Sequence, residues 1–233
     1  MNPVAVLPSV ADIVLANPDA ARVFEKHDID YCCHGKRPLA DACEHAGVDV
    51  ALVQAELDEL AGAPAVPTAP EGITALVDHV VETHHEYLRR ELPRLHELMG
   101  KVVAAHGAVH PELVDVAQTL EAIEEDLLPH LDKEEHVLFP LAKALDADDA
   151  APIGAPSLLS PIRVMHAEHD EVGELLSTLR HRTNGYAAPD DACATWRTLY
   201  AGLAELEHDV HTHVHLENNV LFPKILFAQN KVR

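Results

Sequence analysis

Two runs of the 233-residue chain concentrate its chemistry: His130-Leu-Asp-Lys-Glu134-Glu-His-Val-Leu-Phe-Pro140 and His213-Val-His-Leu-Glu217-Asn-Asn-Val-Leu-Phe-Pro223. In each, a histidine is followed four residues later by a glutamate, which on a helix places both on one face, one turn apart. The runs are copies, and the match continues upstream, where Leu120, Ile123 and Leu127 pair with Leu203, Leu206 and Val210. A second repeat pairs Val81, His85, Leu88, Leu92 and Leu95 with Met165, His169, Val172, Leu176 and Leu179. Apolar residues recurring every three or four positions make core-facing stripes. Those of the copied runs pass through 120, 123, 127, 130, 134, 137 and through 203, 206, 210, 213, 217, 220. His85, His130, Glu134, His169, His213 and Glu217 therefore stand where a helical bundle wants leucine.

Four imidazoles and two carboxylates pointing into an apolar interior call for compensating cations, because a buried carboxylate without a partner is strongly unfavourable. Two divalent or trivalent ions would supply the charge, each taking two imidazoles, with the carboxylates shared between them. Imidazole plus carboxylate suits iron or manganese, and six ligands exceed the four of a structural zinc site. A lone His-x-x-x-Glu pair is usually a solvated ion pair; two copies on matching stripes, with a matched histidine on each remaining helix, argue for a metal site. His84 competes with His85 but lies one position off the stripe, and its repeat partner is Glu168. Glu82 makes a Glu-x-x-His pair with His85, but its repeat partner is His166. His79, His136, His208, His211 and His215 read as surface or supporting groups, with His166 and His215 near enough to tune the site.

The elements that must carry these residues are helices. Aromatic residues make up 4% of the chain and hydrophobic ones 48%, enough for a core but poor material for a β-sandwich. Four long periodic segments, near 72–105, 111–146, 159–184 and 190–228, predict a four-helix bundle of two repeated hairpins. Pro93 and Pro129 fall inside these patterns and predict kinks, the second directly before His130. A Pro/Ala-rich linker over 62–72 separates the bundle, 73–233, from an N-terminal region, 1–61, of short helices after Ser9, Pro18, Pro38 and Asp49. The expected class is thus all-α. Between the second and third short helices the loop Asp-Tyr-Cys32-Cys33-His-Gly holds adjacent thiols, suited to redox switching, soft-metal binding or cross-linking of two subunits rather than to stapling distant segments. Cys43 and Cys193 are expected to be inert.

The formal charge of −22 excludes nonspecific nucleic-acid binding and concentrates cations near the surface. No apolar run approaches the ~18 residues that cross a bilayer, and the N-terminus lacks a basic secretory start, so a cytoplasmic protein with no membrane association is expected.

With both the bundle and the loop in place, the chain resembles the iron-sulfur cluster repair di-iron proteins, the repair of iron centres family, over nearly its whole length. Asp28, Asp30, Tyr31, Cys32, Cys33 and Gly35 carry the resemblance to that family's short cysteine domain, and the remainder resembles its hemerythrin-like bundle. The resemblance implies a non-haem di-iron centre, oxo- or hydroxo-bridged, on His85, His130, Glu134, His169, His213 and Glu217. It also implies a stress-response role in restoring iron-sulfur clusters damaged by nitric oxide or peroxide. The partners would then be proteins with damaged clusters and small ligands such as nitric oxide or oxygen, with a homodimer formed through the N-terminal domain. Iron donation, with Cys32 and Cys33 as transfer or redox thiols, would make the protein a carrier; reduction of nitric oxide would make it an enzyme. Spacing does not choose between them. His34 stands where the family usually has glycine. The alternatives are a hemerythrin-like oxygen or nitric oxide binding or sensing protein, and a metal-free helical interaction module. Oxygen-carrying hemerythrins use five histidines with His-x-x-x-His on the third helix, whereas here His166 and His169 are three apart.

Overall fold

The computed structural model describes residues 8–60, 70–146 and 157–232; most of the expected linker lies outside them. The described residues are helices joined by turns. The N-terminal region contains α1 (Val10–Ala16), α2 (Ala20–Lys26), α3 (Leu39–Ala46) and α4 (Val50–Leu60). Ser9 starts α1 with a reciprocal cap, its hydroxyl accepting the Asp12 N–H while the Asp12 carboxylate accepts the Ser9 N–H.

The first long segment is α5 (Ile73–Val80) and α6 (Glu86–His106), the second α7 (Glu112–Lys133) and α8 (Phe139–Asp146). The third is α9 (Leu159–Arg182), and the fourth is α10 (Ala194–Leu216) and α11 (Phe222–Val232). Helix α7 packs on α9 and α6, and α6 on α10. No helix among the described residues is long and apolar enough to cross a membrane.

The helices run through Pro93 and Pro129. Single π-helical turns occur at Val81–His85, Glu134–Leu138 and Glu217–Leu221. In each, the next N–H reaches the fifth carbonyl back: Glu86 to Val81, Phe139 to Glu134 and Phe222 to Glu217. The wider turn adds one residue and slips the apolar stripe by one position. Val137, expected in the core, is 53% exposed while Leu138 is 2% exposed. In the same way Leu221 replaces Val220 in the core, and Val80 replaces Val81.

Two apolar clusters result. The larger joins the N-terminal region to one end of the bundle through Leu88, Leu120, Leu127, Val172, Leu203 and Val210, among others. The smaller fills the other end with Leu76, Val80, Leu138, Phe139, Ile162, Leu221 and Phe222. The layer between them along every segment holds the six polar residues.

The N-terminal region docks on α10. Glu25 of α2 is buried and accepts hydrogen bonds from Tyr31 Oη at 3.0 Å and His208 Nδ1 at 2.8 Å. Burial pushes the Glu25 carboxyl up, but His208 and His211 outweigh it and hold the group at about 2, below its ordinary 4.5. A folded value below the unfolded one means that this contact stabilises fully above pH 4.5 and is lost as pH falls toward 2. The stability difference between wild type and Glu25→Gln, measured by denaturant titration, is therefore expected to shrink as pH falls through that acid window. A difference independent of pH would contradict the contact.

Candidate metal centre

His85, His130, Glu134, His169, His213 and Glu217 converge in the layer between the two apolar clusters, and all six are buried, both glutamates at 0% exposure. They form two interlocking groups that share both glutamates: His85 with His213, and His130 with His169. The ring nitrogens Nε2 of His85 and His213 face each other at 3.2 Å, and those of His130 and His169 at 3.1 Å. Glu134 Oε2 lies 3.5 Å from Nε2 of both His85 and His130. Glu217 divides its oxygens, Oε1 lying 3.1 Å from His213 and Oε2 3.2 Å from His169. Each carboxylate thus spans both imidazole pairs. All four of their oxygens are buried without a well-formed hydrogen bond.

The outer ring nitrogens fix the direction of the inner ones. Nδ1 of His85 meets Glu135 at 2.9 Å, that of His130 meets Glu168 at 2.9 Å, and that of His169 meets Asn218 Oδ1 at 2.9 Å. An Nδ1–H donated outward leaves the Nε2 lone pair facing inward. Burial and then the facing imidazole lower His85 and His130 to about 4, so both are neutral donors at pH 7. Glu134 is pushed well above the usual carboxylate range by burial and by the adjacent Glu217. Burial pushes the Glu217 carboxyl up, but His213 and His169 outweigh it and hold the group well below the usual carboxylate range, so the two carboxyls differ. Three imidazoles aimed inward by outer partners, a fourth with its outer nitrogen free, and two buried carboxylates without well-formed hydrogen bonds make a donor set suited to cations.

The repeat extends to the supports. Phe139 stacks on the His85 ring and its copy Phe222 on the His169 ring, at 5.7 and 6.0 Å. Glu135 holds His85 and its copy Asn218 holds His169. Glu168 holds His130, while its copy His84 bonds Asp209 and stacks on His213 at 5.7 Å. His84 is thus a neighbour of the cluster and not a member. Sequence reasoning missed Glu135, Glu168 and Asn218, although the first and last directly follow the two core glutamates.

Asn218 also explains why the copies differ. Its Nδ2 donates to the Cys32 carbonyl at 3.4 Å, joined by Asn219 Nδ2 at 2.9 Å. A glutamate at 218 could not donate there. His215, expected to tune the site, instead donates from Nδ1 to the Tyr31 carbonyl at 3.3 Å. Asp30 turns the loop by accepting the N–H groups of Cys32 and Cys33 at 3.0 and 2.9 Å, and His34 binds its other oxygen at 2.6 Å. The Cys33 thiol, burial and the Asp30 carboxylate hold Cys32 well above the usual thiol range.

Cys193, expected to be inert, is exposed, and the Trp196 backbone N–H and His106 ring lower its thiol from 9.0 to about 7. Cys43 is buried and raised. Alkylation at pH 7 is expected to label Cys193 about tenfold faster than Cys32 or Cys43. Equal rates by peptide mass mapping would refute this order.

Comparison with known proteins agrees with both halves of the chain. Residues 76–225 match the hemerythrin HHE cation binding domain, and residues 8–61 match ScdA_N, a domain of unknown function (DUF542). Relatives from Escherichia coli and Shigella boydii, each described as iron-sulfur cluster repair protein YtfE, are 37% identical over 223 residues, covering 94% of this chain and 97% of theirs. With an N-terminal region and a bundle that each match a family model, and this near full-length match, the chain belongs to the iron-sulfur cluster repair family.

Proposed function

We propose that His85, His130, Glu134, His169, His213 and Glu217 hold two iron ions and that the protein helps repair iron-sulfur clusters damaged by nitrosative or oxidative stress. The observation that carries the metal assignment is the pair of fully buried glutamates whose oxygens face imidazole nitrogens on both sides without a well-formed hydrogen bond. When bound, the iron pair supplies a redox-active centre able to take a small ligand such as nitric oxide or to give up iron to a damaged cluster. The chain's own part is positional. Glu135, Glu168 and Asn218 aim the imidazoles, Phe139 and Phe222 cover two of them, and the apolar clusters exclude water from both ends.

This reading takes residues 1–61 and 73–233 as two domains joined by the 62–72 linker, places the protein in the cytoplasm, and takes proteins with damaged clusters as partners. Cys32 and Cys33 would act in iron transfer. Because Cys32 is turned against its own bundle, a homodimer through the N-terminal region would use another of its faces.

The test is incubation of iron-loaded protein with an iron-sulfur protein whose cluster has been destroyed by nitric oxide, in the presence of sulfide and reductant. Recovery of cluster absorbance at the expense of bound iron supports donation; recovery only alongside consumption of nitric oxide supports the redox route. Reversible oxygen binding with no recovery would overturn repair in favour of a hemerythrin-like carrier or sensor.

A further inference from the structure

The thiol loop opens on a cavity of about 440 Å³, lined by Asp30, Cys32 and Cys33 on one side and by Asp170, Glu174 and Arg180 of α9 on the other. Cys32 Sγ lies 3.8 Å from Cys33 Sγ and 3.5 Å from Asp30 Oδ1. One donor atom from each of the three residues lies within 4.8 Å of the other two. These are the separations of ligands around one small ion. With metal–sulfur bonds of about 2.3 Å and metal–oxygen bonds of about 2.0 Å, the tetrahedral S···S and S···O edges come to about 3.8 and 3.5 Å.

The geometry points to a second metal site, formed by Cys32, Cys33 and Asp30, that takes a single thiophilic divalent cation such as zinc or ferrous iron. It is separate from the six-residue cluster and does not depend on it. Two thiolates and a carboxylate suit a borderline-soft ion, in contrast to the imidazole and carboxylate set in the bundle. The donors are held in advance: the Cys32 and Cys33 N–H groups and the His34 ring fix Asp30, and Asn219 fixes the Cys32 carbonyl. Cys33 is half-buried, which leaves an approach from solvent, and the cavity leaves room for a fourth donor or water.

The proton balance is simple. The Cys32 S–H is positioned to donate to Asp30 Oδ1, and the ion takes the place of that proton. The Cys33 thiol loses its proton as well; both protons pass to solvent, and no electron is transferred. The three anionic ligands and the dication leave one negative charge, with Arg37 and Arg180 on the same cavity to offset it.

The test is a cobalt(II) titration of the full-length, iron-loaded chain with its thiols kept reduced. The expected result is about one cobalt per chain giving a near-ultraviolet thiolate-to-cobalt charge-transfer band, with release of about two protons per ion. Cobalt on imidazole and carboxylate ligands gives no such band, and the iron-loaded chain without cobalt is subtracted as the blank, so the bundle cannot mimic it. The Cys32→Ser/Cys33→Ser variant is expected to lose cobalt affinity by about tenfold or more. Glu134→Leu should keep the band while losing bundle iron, so failure of either site is read separately. A wild-type chain with full free-thiol content and no band overturns the proposal. An undiminished band in the double-serine variant, which would come from Cys43 or Cys193, does the same.

Discussion

Replacing Glu134 with leucine is expected to abolish iron loading and, at the same time, to make the metal-free protein more stable than metal-free wild type. Glu134 is at 0% exposure, both of its oxygens lack a donor, and Glu217 lies beside it. Without cations that carboxyl is buried against a second carboxyl with no well-formed hydrogen bond, and its replacement by a side chain suited to the core is worth about 1–4 kcal/mol. With cations the sign reverses, because the leucine variant lacks the carboxylate shared by both imidazole pairs. Iron affinity should fall by at least about 100-fold. Denaturant unfolding of both proteins, with and without iron, measures the crossover. If the variant were less stable in the metal-free state, Glu134 would be a structural residue with an unrecognised partner, and the cation argument would fail.

The second large effect is expected from Gly35→Ala. A Cβ at this position would lie 2.3 Å from the Tyr31 carbonyl oxygen and 2.7 Å from the Ala11 side chain. Neither neighbour is free to retreat: the Tyr31 carbonyl accepts from His215, and Ala11 N–H is bonded to the Gly35 carbonyl at 2.9 Å. The loop itself must move, at a cost of about 1–3 kcal/mol. The consequence is local. The bundle keeps its iron, while Cys32 reacts with alkylating reagents at a rate approaching that of a free thiol and the N-terminal region becomes sensitive to protease. Unchanged Cys32 protection would show that the loop is seated less tightly than these distances require.

The six cluster residues were legible because the repeat states them twice and because polar residues on a leucine stripe conflict with the pattern around them. The helices were legible for the same reason, from Leu88 and Leu92 in one segment to Leu203 and Leu206 in another. The π-helical turns were missed because a stripe drawn at ordinary helical spacing runs on to Val137, and nothing in local propensity marks the slip to Leu138. One signal was present: Pro140 and Pro223 each stand six residues after a core glutamate, where a proline removes a helical hydrogen bond and favours a widened turn. The supports Glu135, Glu168 and Asn218 escaped notice because each reaches an imidazole on another helix, a relation set by packing and not by spacing. Docking of the N-terminal region through Glu25 and His208 was invisible for the same reason.

The division of the core by a polar layer has a consequence for turnover. The smaller apolar cluster is tied to the larger one across a layer of buried polar groups, two of them carboxyls without well-formed hydrogen bonds, so its cooperativity with the rest of the molecule depends on loading. In an iron-starved cell, helices α5, α8 and α11 are the part that would unravel first, offering buried Phe139 and Phe222 to proteases. Empty copies would then be degraded ahead of filled ones, and the amount of protein present would follow the iron supply without a dedicated regulator.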